Sequence, residues 1–406
     1  MKIILIDVNY GKSSTGRIVE SMHEYISNSG HNSIVFFGRG SGKDPRIGVF
    51  KFSSNISVFL DVFLTRLTGL VGFFSYIPTL RVINRIKRFK PDIVHLHDLH
   101  GYFINIHMLV RFLKQESIKT IWTFHSEFMY TGKCGNSLNC KKWQTECNNC
   151  PLIREYPKSL FFDFTGFMHR RKNLLLSDWT NLTITTPSYW LKNRVLKSFL
   201  FNKRIEVIPN GMQEINQQKH SKIETKKKLN LGNKFVVLAV GSNLLTDIKG
   251  GNDFIDIASK VNDPSIQFIM IGTQKDRLKY LPKNLINISS IEDKSILNEY
   301  LRAADISILL SKSETFSYVT LESMFAGTPI IGYDSGAPKE IAGEGFGKFV
   351  PIGKKEEIIS LILQFKQGKL NFQKEDTLQK YAMDNFSNAK MIKRYFDLYN
   401  DVISSI

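Results

Sequence analysis

The chain has 406 residues, 42% of them hydrophobic, and its 55 Lys and Arg outnumber 37 Asp and Glu for a formal charge of +18. That length exceeds one ordinary core and suits two domains of about 200 residues each, and that apolar content excludes wholesale disorder. The basic excess favours nucleotide phosphates or an anionic membrane face; the basic residues are dispersed and no recognisable module accompanies them, which speaks against nucleic acid.

The opening MKIILIDVNYG is apolar but broken by Asp7, so it reads as a buried first strand rather than a secretory signal, and a cytoplasmic protein is expected. Further short apolar runs follow at Ile34–Phe37, Ile93–Leu96, Thr120–Phe124, Leu182–Thr186 and Ile205–Ile208, after the first at Ile3–Val8. Continuous runs rich in Ile, Val and Phe mark strands buried on both faces of a helix-covered parallel sheet. The loop Gly11 to Gly16 leads into a helix expected over Arg17–Asn28, and its glycines and the helix start make Thr15 and Gly16 candidate binding residues. An ordinary βα turn is the competing reading, and the spacing is not that of a Walker A loop. The uncharged stretch Leu67–Leu80 is too short to span a bilayer; it fits either a helix lying on a membrane surface or a buried helix.

Two apolar runs end in histidine, giving His97-Asp98 and His125 as side chains leaving the sheet at its ligand-binding end. All four cysteines, Cys134, Cys140, Cys147 and Cys150, fall in one window, and the last two have the spacing of half a zinc site. A structural Zn²⁺ is the favoured reading, with free or buried thiols as the alternative.

Pro209-Asn210-Gly211 is a turn cluster that separates residues 1–210 from 211–387, and a polar segment from Gln213 to Lys228 begins the second half. The strand pattern restarts there with Phe235–Val240, Ile266–Ile271, Ile306–Leu310 and Pro329–Gly332. Two alternating series predict an α/β protein of two Rossmann-like, doubly wound domains. Gly241 ends one of these strands, and Lys249-Gly250 precedes a helix, where the ammonium suits a diphosphate. Glu314 follows another strand, and Glu322 lies eight positions later within the next helix. Between them Phe316, Ser317, Tyr318 and Val319 bring backbone amides to the helix start, and Gly336 offers a second such turn. The last segment, 388–406, has the periodicity of an amphipathic helix.

The Glu-x7-Glu spacing, Gly327-Thr328-Pro329, Lys249-Gly250 and the strand-end His125 resemble, in order, the family-four retaining glycosyltransferases of the GT-B fold. Ser14 to Val19, His95 to Tyr102, Tyr130 to Cys134, Cys147 to Pro151 and Thr186 to Trp190 are similar to segments of bacterial exopolysaccharide, capsule and colanic-acid glycosyltransferases. The resemblance implies two domains facing a cleft, the first acceptor-side and the second donor-binding, with the final helix crossing back to the first. It implies Glu322 on the donor ribose, Glu314 and His125 beside the transferring sugar, Lys249 on the diphosphate, the loop Gly11 to Gly16 near diphosphate and acceptor, and His97 and Asp98 on the acceptor side. The donor is then a nucleotide-sugar, UDP-linked by preference. The resemblance implies a saccharide acceptor and no metal for catalysis; the basic surface and the Leu67–Leu80 stretch lead to the expectation that the acceptor is lipid-linked at the inner membrane face. Ser242, Ile248 and Ser126 depart from the family's Arg, Arg and Asp, leaving Lys249, with Lys312 and backbone dipoles, to neutralise phosphate. An epimerase or hydrolase of similar form, or a non-catalytic nucleotide-sugar-binding protein, is the alternative.

Overall fold

The computed structural model describes residues 1–40, 47–213, 221–273 and 280–404. The chain divides into two compact units, Met1–Asn210 with Met391–Ile406, and Gly211–Lys390. No helix among the described residues is long and apolar enough to cross a membrane.

Unit one contains β1 (Lys2–Asp7), α1 (Ser13–Asn28), β2 (Asn32–Phe37), β3 (Val49–Lys51), α2 (Asn55–Thr68), α3 (Tyr76–Phe89) and β4 (Ile93–Leu96). It continues with α4 (Ile106–Gln115), β5 (Thr120–Thr123), α5 (Thr165–Leu176), β6 (Leu182–Thr186), α6 (Tyr189–Val195) and β7 (Arg204–Val207). The sheet runs β3-β2-β1-β4-β5-β6-β7 and every pair is parallel. Ile3, Ile4, Leu5 and Ile6 are wholly buried, as a central strand covered on both faces requires.

Unit two contains α7 (Lys222–Lys228), β8 (Phe235–Val240), α8 (Gly251–Lys260), β9 (Ile266–Ile271), β10 (Leu285–Ile288), α9 (Lys294–Ala303) and β11 (Ile306–Leu309). Then follow α10 (Tyr318–Phe325), β12 (Ile330–Tyr333), α11 (Ala337–Ala342), β13 (Gly347–Val350), α12 (Lys355–Lys366) and α13 (Glu375–Phe386). Its parallel sheet runs β10-β9-β8-β11-β12-β13. The final helix, α14 (Asn388–Ser404), joins unit one from Met391 onward, where its Tyr395 and Tyr399 are buried.

Three strands that the apolar pattern does not announce, β3, β10 and β13, all lie at sheet edges. An edge strand is paired on one side only and tolerates polar residues, here Asn287 and Lys348, so it leaves no continuous apolar run. Two expectations are corrected. The helix after the first loop starts at Ser13 rather than Arg17, placing Thr15 and Gly16 inside its first turn. Leu67–Leu80 is not one helix: α2 ends at Thr68, Gly69 turns the chain at φ +80°, and α3 starts at Tyr76. Of the polar segment Gln213–Lys228, residues 214–220 lie outside the described residues, as do 405–406 of the last helix.

Candidate active site

In each sheet the strand order reverses beside its first strand, between β1 and β4 and between β8 and β11. At such a switch point the flanking loops leave in opposite directions and open a crevice at the carboxyl ends of the strands. The candidate residues gather at these two places.

In unit two, Gly241 follows β8 and donates its N–H to Ile271 O at 3.1 Å. Gly250 has φ +71°, and a Cβ there would meet Leu310 O at 2.2 Å, so only glycine allows the tight turn that sets Lys249 at the threshold of α8. Lys249 Nζ lies 2.7 Å from Glu314 Oε1, with Lys249 32% and Glu314 13% exposed. Glu314 is fixed by its backbone: its N–H donates to Ser335 O at 2.9 Å, and its carbonyl accepts from Ala337 N–H at 3.0 Å. These bonds make a parallel bridge between Glu314 and Gly336 and hold the two loops side by side. Gly336, at φ +124°, turns the chain into α11. Ser317 caps α10, its Oγ accepting from Thr320 N–H at 3.2 Å. The first-turn amides of α10 carry partial positive charge next to Phe316 and Tyr318, which meet edge to face. Gly241, Lys249, Glu314 and Val319 line one pocket together with Leu310 and Ser311. Glu322 sits half-buried in the second turn of α10.

In unit one the organising group is Asp7, at the end of β1, which in the sequence is only a break in an apolar run. Asp7 is fully buried and accepts from Asp98 N–H at 3.0 Å, Asn9 N–H at 3.1 Å and Thr15 Oγ1 at 3.2 Å. Burial and then the Asp98 charge push its carboxyl up to about 8, while burial raises Asp98 to about 7. Thr15 is thus brought to Asp98 through Asp7. Gly16 sits where a Cβ would come within 3.1 Å of the Asn9 carbonyl, so it serves close packing of α1 on the loop.

His97 Nδ1 and His125 Nε2 are 3.1 Å apart, one ring donating to the other, and the rings stack. His95 stacks on the other side of His97 with centroids 4.2 Å apart. His95 is held by Tyr399 OH and Thr123 Oγ1, both at 2.7 Å. Burial, with neighbouring imidazoles adding to it, pushes His95 and His125 down to about 3 and holds His97 well below its ordinary value. The three rings are therefore neutral at physiological pH. His97 Nε2 is buried with no hydrogen-bond partner among the described residues. His100, also unforeseen, is pushed down to about 4 by burial and then by Lys172, and lies 3.6 Å from Asp98. A strand-end acid followed by a glycine-rich turn is the signal that could have found Asp7; the tyrosines beside His95, Tyr395 and Tyr399, come from α14 and no local pattern reveals them.

The four cysteines line one pocket with Gly132, Trp143 and Thr165. The Cys150 thiol is drawn down to about 7, chiefly by the hydrogen bond from Cys134, whose own thiol is pushed up. Among the described residues no three His, Cys, Asp or Glu side chains are arranged to hold a metal ion.

Solved structures share this architecture along the whole chain. Sucrose-phosphate synthase from Thermosynechococcus elongatus matches with a TM-score of 0.71 at 14% identity, covering 100% of both chains. HepE of Anabaena, solved in complex with UDP, matches with a TM-score of 0.67 at 14% identity, covering 99% of this chain and 100% of that one. Two parallel-sheet units of this kind make the fold GT-B. Residues 221–384 match the model described as glycosyl transferases group 1, and residues 15–213 the model described as glycosyltransferase family 4. The chain belongs to these glycosyltransferases. It is 22% identical over 418 residues to the putative colanic acid biosynthesis glycosyl transferase WcaC of Escherichia coli, covering 99% of this chain and 100% of that protein. It is 25% identical over 232 residues to N-acetyl-alpha-D-glucosaminyl L-malate synthase of Bacillus anthracis, covering 54% of this chain and 60% of that protein.

Proposed function

We propose that the chain transfers a sugar from a UDP-sugar onto a saccharide acceptor, with retention at the anomeric carbon, during assembly of a bacterial surface polysaccharide. The acceptor is lipid-linked and the reaction takes place at the cytoplasmic face of the cell membrane. The observation that carries the reading is the Lys249–Glu314 pair beside the start of α10, at the switch point of the unit-two sheet. A diphosphate there would meet the Lys249 ammonium and the first amides of α10, which stabilise the charge that grows as the nucleotide leaves. Glu322 takes the ribose hydroxyls and Glu314 the transferring sugar. Gly241 and Gly336 give the backbone room to approach the ligand.

The acceptor hydroxyl attacks the anomeric carbon from the face that the diphosphate leaves, and its proton passes to the departing phosphate oxygen. One C–O bond forms and one breaks, and no metal takes part. The neutral His125, half-buried and backed by the buried His97, can face sugar hydroxyls without adding charge. Asp98 and Thr15, held through Asp7, complete the acceptor side.

Support for UDP comes from the HepE relative, solved with UDP and with UDP-glucose. Support for the polysaccharide setting comes from the name of the E. coli relative. A thermal-shift panel of UDP, GDP, ADP and their sugars tests the donor, because a ligand of the folded state raises its melting temperature. UDP compounds should shift it most. NMR of the product should give the donor's anomeric configuration, and an inverted product would overturn the mechanism.

A further inference from the structure

In unit one, α2 is apolar on two sides: Val58 and Val62 pack against the core, and a second apolar stripe faces outward. Its two fully buried positions are polar, Asp61 and Thr65, with Asp61 accepting from Thr65 Oγ1 at 3.1 Å and from Ser75 Oγ at 2.5 Å. Its outward stripe is apolar, with Ile56, Phe59, Leu60, Phe63 and Leu67 at helical spacing; Phe59 is 68% and Phe63 55% exposed. The start of α3 adds exposed Tyr76, Ile77 and Leu80.

A second element extends the same face. Leu160 N–H donates to Arg66 O at 2.9 Å, and the absent side chain of Gly69 makes room for Ser159, whose Oγ a Cβ would meet at 2.7 Å. This seats the exposed Leu160, Phe161 and Phe162 against the end of α2. Scattered apolar residues on a surface are ordinary, but a contiguous helix stripe and aromatic loop need a cover.

Charge chooses the cover. The helices α2 and α3 carry exposed Arg66, Arg81, Arg85, Lys87 and Arg88, while their one acid, Asp61, is buried. Along α3 the exposed side passes from Ile77 to Arg81 and Arg88, so apolar tips give way to cations. A second copy of the chain on this face would set like charges against like. An anionic bilayer accepts both: the apolar stripe enters the acyl boundary and the basic side chains reach the headgroups.

We infer that the α2 stripe, the start of α3 and the Leu160–Phe162 loop form a docking face for an anionic membrane surface. The inference deepens the lipid-linked-acceptor reading, but vesicles without acceptor test it alone, so docking and sugar transfer can fail separately. The full chain is floated with phosphatidylcholine vesicles containing roughly one-third phosphatidylglycerol, beside vesicles of phosphatidylcholine only. It should float with the first at low salt and be released as salt rises. Phe59→Glu with Phe63→Glu should cut partitioning by about tenfold or more with the urea midpoint unchanged. In a separate variant, Phe63→Trp, the introduced indole should shift its emission to the blue on adding anionic vesicles. No flotation of the unaltered chain at low salt, or no such shift, overturns the inference. So does a concentration-dependent dimer that Phe59→Glu abolishes while flotation is unchanged.

Discussion

Replacing Glu314 by Gln separates what the Lys249–Glu314 pair does to binding from what it does to turnover. The carboxylate lies 2.7 Å from the ammonium, so a diphosphate at Lys249 competes with it for the same cation. At that separation and an effective dielectric of about 20, the gross attraction is about 6 kcal/mol. Lys249 is 32% exposed, and solvent screening leaves about 1 kcal/mol of it usable. Removing the charge while keeping the shape should then tighten UDP binding about fivefold. The same change takes a negative charge away from the sugar as it becomes cationic, and should slow turnover about a hundredfold. Calorimetric titration of UDP at matched ionic strength, beside steady-state transfer from a UDP-sugar, reads the two effects separately. Lys249→Met is the reference and should weaken UDP. If Glu314→Gln weakens UDP as Lys249→Met does, the carboxylate supports the diphosphate site and the competition argument is wrong.

Gly250→Ala should cost about 1–3 kcal/mol in urea unfolding and weaken UDP binding as well, because its Cβ would strike Leu310 O at 2.2 Å and displace Lys249. Arg194→Met should lower stability by about 3–5 kcal/mol, since Glu127 is wholly buried and Arg194 is its ion-pair partner; an unchanged melting temperature would show that the pair is not needed. His95 is pushed down to about 3 in the fold, so the unfolded chain binds the extra proton first as pH falls below 6.5. Its contribution is therefore complete above that pH and is lost in acid. The stability gap between wild type and His95→Gln should shrink by about 1.4 kcal/mol per pH unit below 6.5, as measured by urea unfolding from pH 7.5 to 5.

Interior strands were legible because both faces are covered, which forces the continuous apolar runs of β1, β4 and β9. The edges β3, β10 and β13 were not, for want of that pressure. Lys249 and Glu314 could be picked out by position after a strand, and the structure brings them into contact. Gly16 looks in the sequence like a freely turning loop residue, yet it lies within α1 and answers to the nearness of Asn9. Periodicity also cannot say which face of a helix points inward. The stripe Ile56, Phe59, Leu60, Phe63 and Leu67 of α2 has the spacing of a core-facing side, yet it is exposed, while Val58 and Val62 take the core side.

The phenol of Tyr399 closes the hydrogen bonding of His95, and Tyr395 OH lies 3.0 Å from Thr123 Oγ1, so α14 supplies groups to the interior of a unit whose other residues precede 211. A ribosome makes Gly211–Lys390 before it makes those tyrosines. The strands of unit one therefore emerge from the ribosome with an unfilled seam above β4 and β5, and a fragment cut at Asn210 would carry that seam permanently. Expressing it alone would call for the α14 segment to be supplied in trans or spliced on through a short linker.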